Sequence, residues 1–162
     1  MEGGEWLKMT NDECPMKKAA SHCVIRHSSF VIAFLLGPAV CGVYRLVVPG
    51  QPLSVEQTLS FWFVKVALIW PVAEELVFRG VIQEWLKERM PFGKSAVLTR
   101  ANLVTSVLFA AAHLFYHPAL HAVSVFFPSL VFGYFRERYD RLWPPIALHV
   151  VYNACWFLIV GH

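Results

Sequence analysis

The stretch 66–86, VALIWPVAEELVFRGVIQEWL, decides how the rest of the chain has to be read. Glu74, Glu75 and Arg79 stand inside an apolar segment long enough to cross a bilayer, where each uncompensated charge costs about 2.5 kcal/mol or more. On a helix Glu75 and Arg79 are four apart, share a face and can neutralise one another. Glu74 lies about 100° round from Glu75 and lacks that partner. A free carboxylate beside a paired one, in a poorly hydrated site, is suited to act as a general base. Pro71, just upstream, removes an N–H and so frees backbone carbonyls beside the acid.

Composition says what kind of chain holds such a segment. Of 162 residues, 57% are hydrophobic and 15% charged, against about 45–50% and 25% in soluble domains, so this is a membrane protein. The expected fold is all-α: a polytopic membrane helix bundle of about five spans. Residues 1–27 read as a polar N-terminal arm and 28–162 as the membrane-embedded domain. The spans are expected over Ser28 to Val48, 66 to 86, Arg100 to Leu114, Leu120 to Phe135 and Leu142 to Val160. Gly37 and Pro38 predict a bend or a close helix contact in the first, and Pro49, Gly50 and Pro52 a turn after it.

Lys and Arg alternate between the two sides. Four lie in the arm. Lys87, Arg89, Lys94 and Arg100 follow the second span and Arg136, Arg138 and Arg141 the fourth, whereas Arg45 and Lys65 stand alone on the opposite side. That places the N-terminus inside and the C-terminus outside. The polar N-terminus and the missing small-residue cleavage site predict an uncleaved first span. Cys14, Cys23, Cys41 and Cys155 form neither a zinc-like pattern nor a disulfide framework. Gly-rich phosphate loops and GxSxG are absent. The basic cluster at 136–141 is mixed with Glu137 and Asp140, so it reads as a topology anchor or anionic-lipid contact and excludes a nucleic-acid surface.

Two further polar clusters fall within apolar spans: His113, after three alanines that let a helix approach, and His149 with Asn153, four apart on one face. At about 1.5 Å per residue, Glu74 lies about 12 Å below an outer boundary at Lys65, and His113 about 20 Å above an inner boundary at Arg100. In a core of about 30 Å they can meet. His149 comes out only about 10 Å from the inside, with Asn153 nearer the right level, so a tilted helix or a depressed start around Trp143, Pro144 and Pro145 is needed. One carboxylate, two imidazoles and an amide suffice to activate water and hold an oxyanion. Duller readings stand beside this one: a structural Glu75–Arg79 pair, a packing His113, and His149 with Asn153 gluing two helices. A zinc ion on Glu74, His113 and His149 is chemically allowed, and His113, His117 and His121 are spaced by four. The preferred reading uses no cofactor.

EELVFRG at 74–80, FAAAH at 109–113 and HVVYN at 149–153 resemble the three signature motifs of the CAAX prenyl protease and bacteriocin-processing family, also called Abi. All of EExxxR, FxxxH and HxxxN stand here unsubstituted, and the resemblance covers residues 66 to 157. It implies a glutamate-dependent endopeptidase in a bacterial or archaeal cell membrane, acting on a membrane-embedded or membrane-adjacent peptide. In that scheme Glu74 is the base, His113 helps to activate water, His149 and Asn153 hold the oxyanion, and Glu75 with Arg79 brace the site. Removal of C-terminal sorting tails or peptide maturation is the preferred role; the chain has fewer expected spans than the prenyl proteases usually have. The alternatives are a non-catalytic membrane scaffold or bacteriocin-immunity protein and a small transporter, the last disfavoured because the polar groups converge at one depth.

Overall fold

The computed structural model describes residues 15–48, 51, 53–90 and 98–161, with side chains from Ser28 onward. Residues 1–14 of the expected arm, most of the expected turn at 49–52, and the loop 91–97 lie outside the described residues. The regular elements among the described residues are all helical.

Helix α1, Pro15–Val47, begins well before the expected Ser28. Helix α2, Val55–Thr58, starts on a reciprocal cap: Ser54 Oγ accepts from the Gln57 N–H at 3.2 Å and Gln57 Oε1 accepts from the Ser54 N–H at 2.8 Å. Ser60 caps α3, Phe61–Val64, through its hydroxyl alone, which accepts from the Phe63 N–H at 3.2 Å. The chain then stays helical to Arg89 through a π-helical turn at Lys65–Ile69, α4 at Trp70–Glu75, a second π-helical turn at Leu76–Ile82 and α5 at Gln83–Arg89. Helix α6, Arg100–His113, is capped by Thr99, whose hydroxyl accepts from the Asn102 N–H at 3.0 Å. Helix α7, Ala119–Tyr139, ends on Asp140 at φ 52, a left-handed conformation that Asp tolerates. Helix α8, Trp143–Cys155, opens with Pro144 and Pro145, where a missing N–H costs nothing, and continues as a π-helical turn, Trp156–Val160.

Contacts at the helix ends show that successive passes alternate in direction. At one end, Phe30 of α1 meets Tyr139 and Trp143, Lys87 of α5 lies 3.6 Å from Asp140, and Thr99 bonds Glu137. At the other, Tyr44 meets Trp156, Trp62 meets Phe157, and His113 stacks near His121 across the α6–α7 turn. The clusters at 87–89 and 136–141 therefore share an end, as the charge alternation requires.

Three helices among the described residues, not the five expected, are long and apolar enough to cross a membrane: Ser28–Val47, Ala119–Tyr139 and Trp143–Val160. The physical reason is twofold. The run from Phe61 to Arg89 carries Lys65, Glu74, Glu75 and Arg79, too many charges for a lipid-facing span, while α6 has 14 residues and so reaches about 21 Å of a core of about 30 Å.

Burial is inverted relative to a soluble protein. Arg79, Glu75, Gln83, Asn102, Thr105, Ser106 and Ser129 are buried, whereas Leu46, Phe115 and Leu120 are more than 80% exposed. An apolar exterior matches lipid, and polar groups that cannot face lipid must find one another inside. A smaller apolar core joins Ala33 of α1 to Phe132, Phe135 and Leu148. Gly37 makes the close contact expected of it: a Cβ there would collide with the ring of Tyr152, whose hydroxyl donates to the Ala33 carbonyl at 2.7 Å.

Candidate active site

The site rests on a polar spine. Residues 75, 79 and 83 recur every four along one helical face, and 129, 133 and 137 do so along α7. Arg79 donates to the carbonyl and hydroxyl of Ser129 at 2.9 and 2.7 Å, and Gln83 donates to the Gly133 carbonyl at 3.1 Å and to Glu137 at 2.9 Å. From α6, Thr99 donates to Glu137 at 2.6 Å and Asn102 to the Leu130 carbonyl at 2.9 Å. A Cβ on Gly133 would strike the Asn102 side chain, so glycine lets α6 lie close against α7. Gln83, Thr99, Asn102, Ser129 and Glu137 were missed as a network by sequence reasoning. The spacing of three or four residues within each helix was the available signal.

At the head of the spine Arg79 Nε lies 3.2 Å from Glu75 Oε2, both side chains fully buried. The contact is ionic and not aligned as a hydrogen bond, since neither atom has a hydrogen-bond partner. The guanidinium instead gains from the faces of Phe109 and Phe132, 4.8 and 5.7 Å from its centre. The other oxygen of Glu75 holds His149, with Oε1 2.8 Å from Nδ1. A carboxylate accepts, so Nδ1 carries the hydrogen and Nε2 faces away from Glu75. Phe132 stacks on this imidazole at 4.9 Å and 23°, fixing its plane.

Glu74 stands on the open side. Its Oε2 lies 3.7 Å from His149 Nε2, and its side chain is 31% exposed where that of Glu75 is 0%. His149 thus lies between two sequence-adjacent acids of different exposure. Pro144 and Pro145, at the start of α8, are fully buried, while Trp143 beside them is 52% exposed. His113 joins through Phe109, whose ring contacts both imidazoles, at 4.6 Å from His113 and 5.7 Å from His149. Its Nδ1 is 2.9 Å from the Phe109 carbonyl. A carbonyl only accepts, so Nδ1 holds the hydrogen, and in the neutral ring Nε2 keeps a lone pair.

Asn153 is the exception. Its Nδ2 donates to the Val66 carbonyl at 3.1 Å, about one turn beyond His149. No three His, Cys, Asp or Glu side chains among the described residues form a group able to hold a metal ion. His113, His117 and His121 stack, with 4.4 Å between the last two rings, without making such a group. A cavity of about 380 Å³ at the α2–α3 corner is lined by Glu56, Gln57, Ser60 and Trp62, none of them site residues.

Apolar helices around a carboxylate–imidazole centre define an integral membrane protein with a polar core. Residues 56–155 match the Rce1-like family, described as type II CAAX prenyl endopeptidase Rce1-like, and the chain belongs to that family of CAAX-type intramembrane proteases. It is 27% identical over 128 residues to an Escherichia coli protein named "Uncharacterized 24.3 kDa protein", covering 75% of this chain and 54% of that one. It is 28% identical over 103 residues to the Bacillus subtilis (strain 168) "Putative membrane peptidase YdiL", covering 63% of this chain and 38% of the relative. The chain thus spans about half or less of the length of these curated relatives. No solved structure matches it. The apolar helices and the bacterial relatives make it an integral protein of a bacterial membrane.

Proposed function

We propose that the protein is an endopeptidase that cuts a membrane-embedded or membrane-adjacent peptide with a water molecule activated by Glu74. The observation that carries this reading is the pair of acids flanking His149: Glu75 is buried and bonded, while Glu74 is partly open and 3.7 Å from the same ring. Water adds to the scissile carbonyl carbon as Glu74 takes its proton, and the π pair moves onto oxygen. The Nε2 of His149, protonated and fixed by Glu75, donates to that oxyanion. As the tetrahedral intermediate collapses, the C–N bond breaks and the leaving nitrogen takes the proton from Glu74. His113 Nε2 accepts from the water and orients it. No acyl-enzyme forms.

The clustering of Lys87, Arg89, Arg136, Arg138 and Arg141 at one end supports an inside position for that end and for the N-terminus. The relative named as a membrane peptidase supports a peptide or protein substrate, and removal of C-terminal sorting tails or peptide maturation is the role we favour. The test is mass spectrometry of membrane peptides from cells carrying the wild type or Glu74→Gln. A fragment present only with the wild type is expected. An identical fragment set with a folded Glu74→Gln protein would remove the assigned base.

A further inference from the structure

The bond from Asn153 to Val66 answers a defect that the sequence itself creates. In the π-helical turn Lys65–Ile69, the Trp70 N–H reaches back five residues to the Lys65 carbonyl. The next donor in that pattern, on residue 71, would serve Val66. Residue 71 is proline and has no N–H. The Val66 carbonyl is left without a main-chain donor in a part of the molecule where an unmet carbonyl is costly. Asn153 Nδ2 fills that vacancy from α8 at 3.1 Å.

We infer that Asn153 is a positioning residue: its amide closes the ladder gap made by Pro71 and thereby sets the register between α8 and the helix that carries Glu74. This deepens the proposed hydrolase reading and rests on it, and it gives Asn153 a structural duty beyond the oxyanion contact that the family resemblance implies. The two helices then meet on two rungs, His149 on Glu74 and Glu75, and Asn153 on Val66. The first is chemical and the second holds it in register. The Val66 carbonyl takes one of the two hydrogens on Asn153 Nδ2 and ties that amide to the helix of Glu74.

The rescue experiment is specific to this geometry. Alanine at position 71 restores an N–H that Val66 can accept, so Pro71→Ala should make Asn153 partly dispensable. The four proteins are wild type, Pro71→Ala, Asn153→Ala and the double variant, purified in detergent. Their thermal midpoints are measured, and so is cleavage of the fragment precursor found by the Glu74→Gln comparison, at a temperature where every variant is folded. We expect Asn153→Ala to lower the midpoint and to cut the cleavage rate about 10-fold to 100-fold, with both losses much smaller in the Pro71→Ala background. A direct oxyanion donor gives the opposite pattern: an unchanged midpoint and the same rate loss, on the order of 100-fold or more, in both backgrounds. That result would overturn the inference, as would a midpoint loss that Pro71→Ala does not reduce. Should Asn153→Ala alone fail to fold, a folded double variant supports the inference and an unfolded one sinks it. The midpoints need no substrate, so a failure of the protease reading itself, read from Glu74→Gln, remains separate from a failure here.

Discussion

Glu74 and Glu75 are neighbours in sequence and opposites in environment. Glu75 has no exposed side-chain surface and touches Arg79 and His149; Glu74 keeps 31% of its side chain open and approaches His149 only from the accessible side. Helical geometry makes the difference: about 100° of rotation turns one carboxylate onto the α7 spine and the other toward the place a substrate would occupy. A pair of identical side chains can therefore divide support from chemistry with no change of residue type. In the proposed reaction the buried acid orients the imidazole and the open acid exchanges a proton.

The comparison breaks most sharply at Glu74. Replacement by Gln should reduce cleavage by about 100-fold to 10,000-fold, the usual worth of a general base, with the thermal midpoint in detergent close to that of the wild type. A midpoint that falls with the activity would make Glu74 a second brace.

At the buried partner the expectation is reversed. Arg79→Ala strips Glu75 of its counter-charge and Ser129 of its donor, and should cost about 3–5 kcal/mol of stability, as breaking a buried pair does. Denaturation in mixed detergent would register it. Arg79→Lys should rescue only part, because an ammonium cannot reproduce the planar fork that meets both Glu75 and Ser129.

Further along the spine, Gly133→Ala should cost about 1–3 kcal/mol, since the new methyl meets the Asn102 side chain. Thermal unfolding tests this, and Asn102→Ala in the same chain should relieve part of the loss. The smallest effect is expected at the membrane edge. A hydrogen bond from Arg136, helped by the charge of Lys87, holds the Asp140 carboxyl below the ordinary carboxylate range. Its stabilisation is present above the unfolded value and is lost as pH falls through the lower folded value. Because the side chain is 76% exposed, solvent screens the pair, and Asp140→Asn should flatten the acid limb of the stability curve only slightly.

Several features of the site were legible before any fold was known. The four-residue spacing of Glu75 and Arg79 requires their pairing, and Pro71 requires an unmet carbonyl nearby; both are local consequences of helix geometry. The antiparallel alternation of the helices followed from the basic residues. Other features were not local. Ser129 looks like an ordinary membrane-helix hydroxyl until α7 is laid beside Arg79. The number of helices able to cross a membrane was overcounted because the second expected span holds Glu74, Glu75 and Arg79, and because the third is a helix of only 14 residues.

The sequence by itself determined that this chain is helical and membrane-embedded, and that its charges must be neutralised within its own interior. Hydropathy and the 3.6-residue period act over short stretches and need no partner. Only the tertiary structure decided which acid is buried, which imidazole lies between the two acids, and that the amide of Asn153 serves Val66. Those choices depend on the rotation and register of α8 against the Phe61–Arg89 run. Both are set by contacts between residues about 75 to 90 positions apart, which no local pattern encodes.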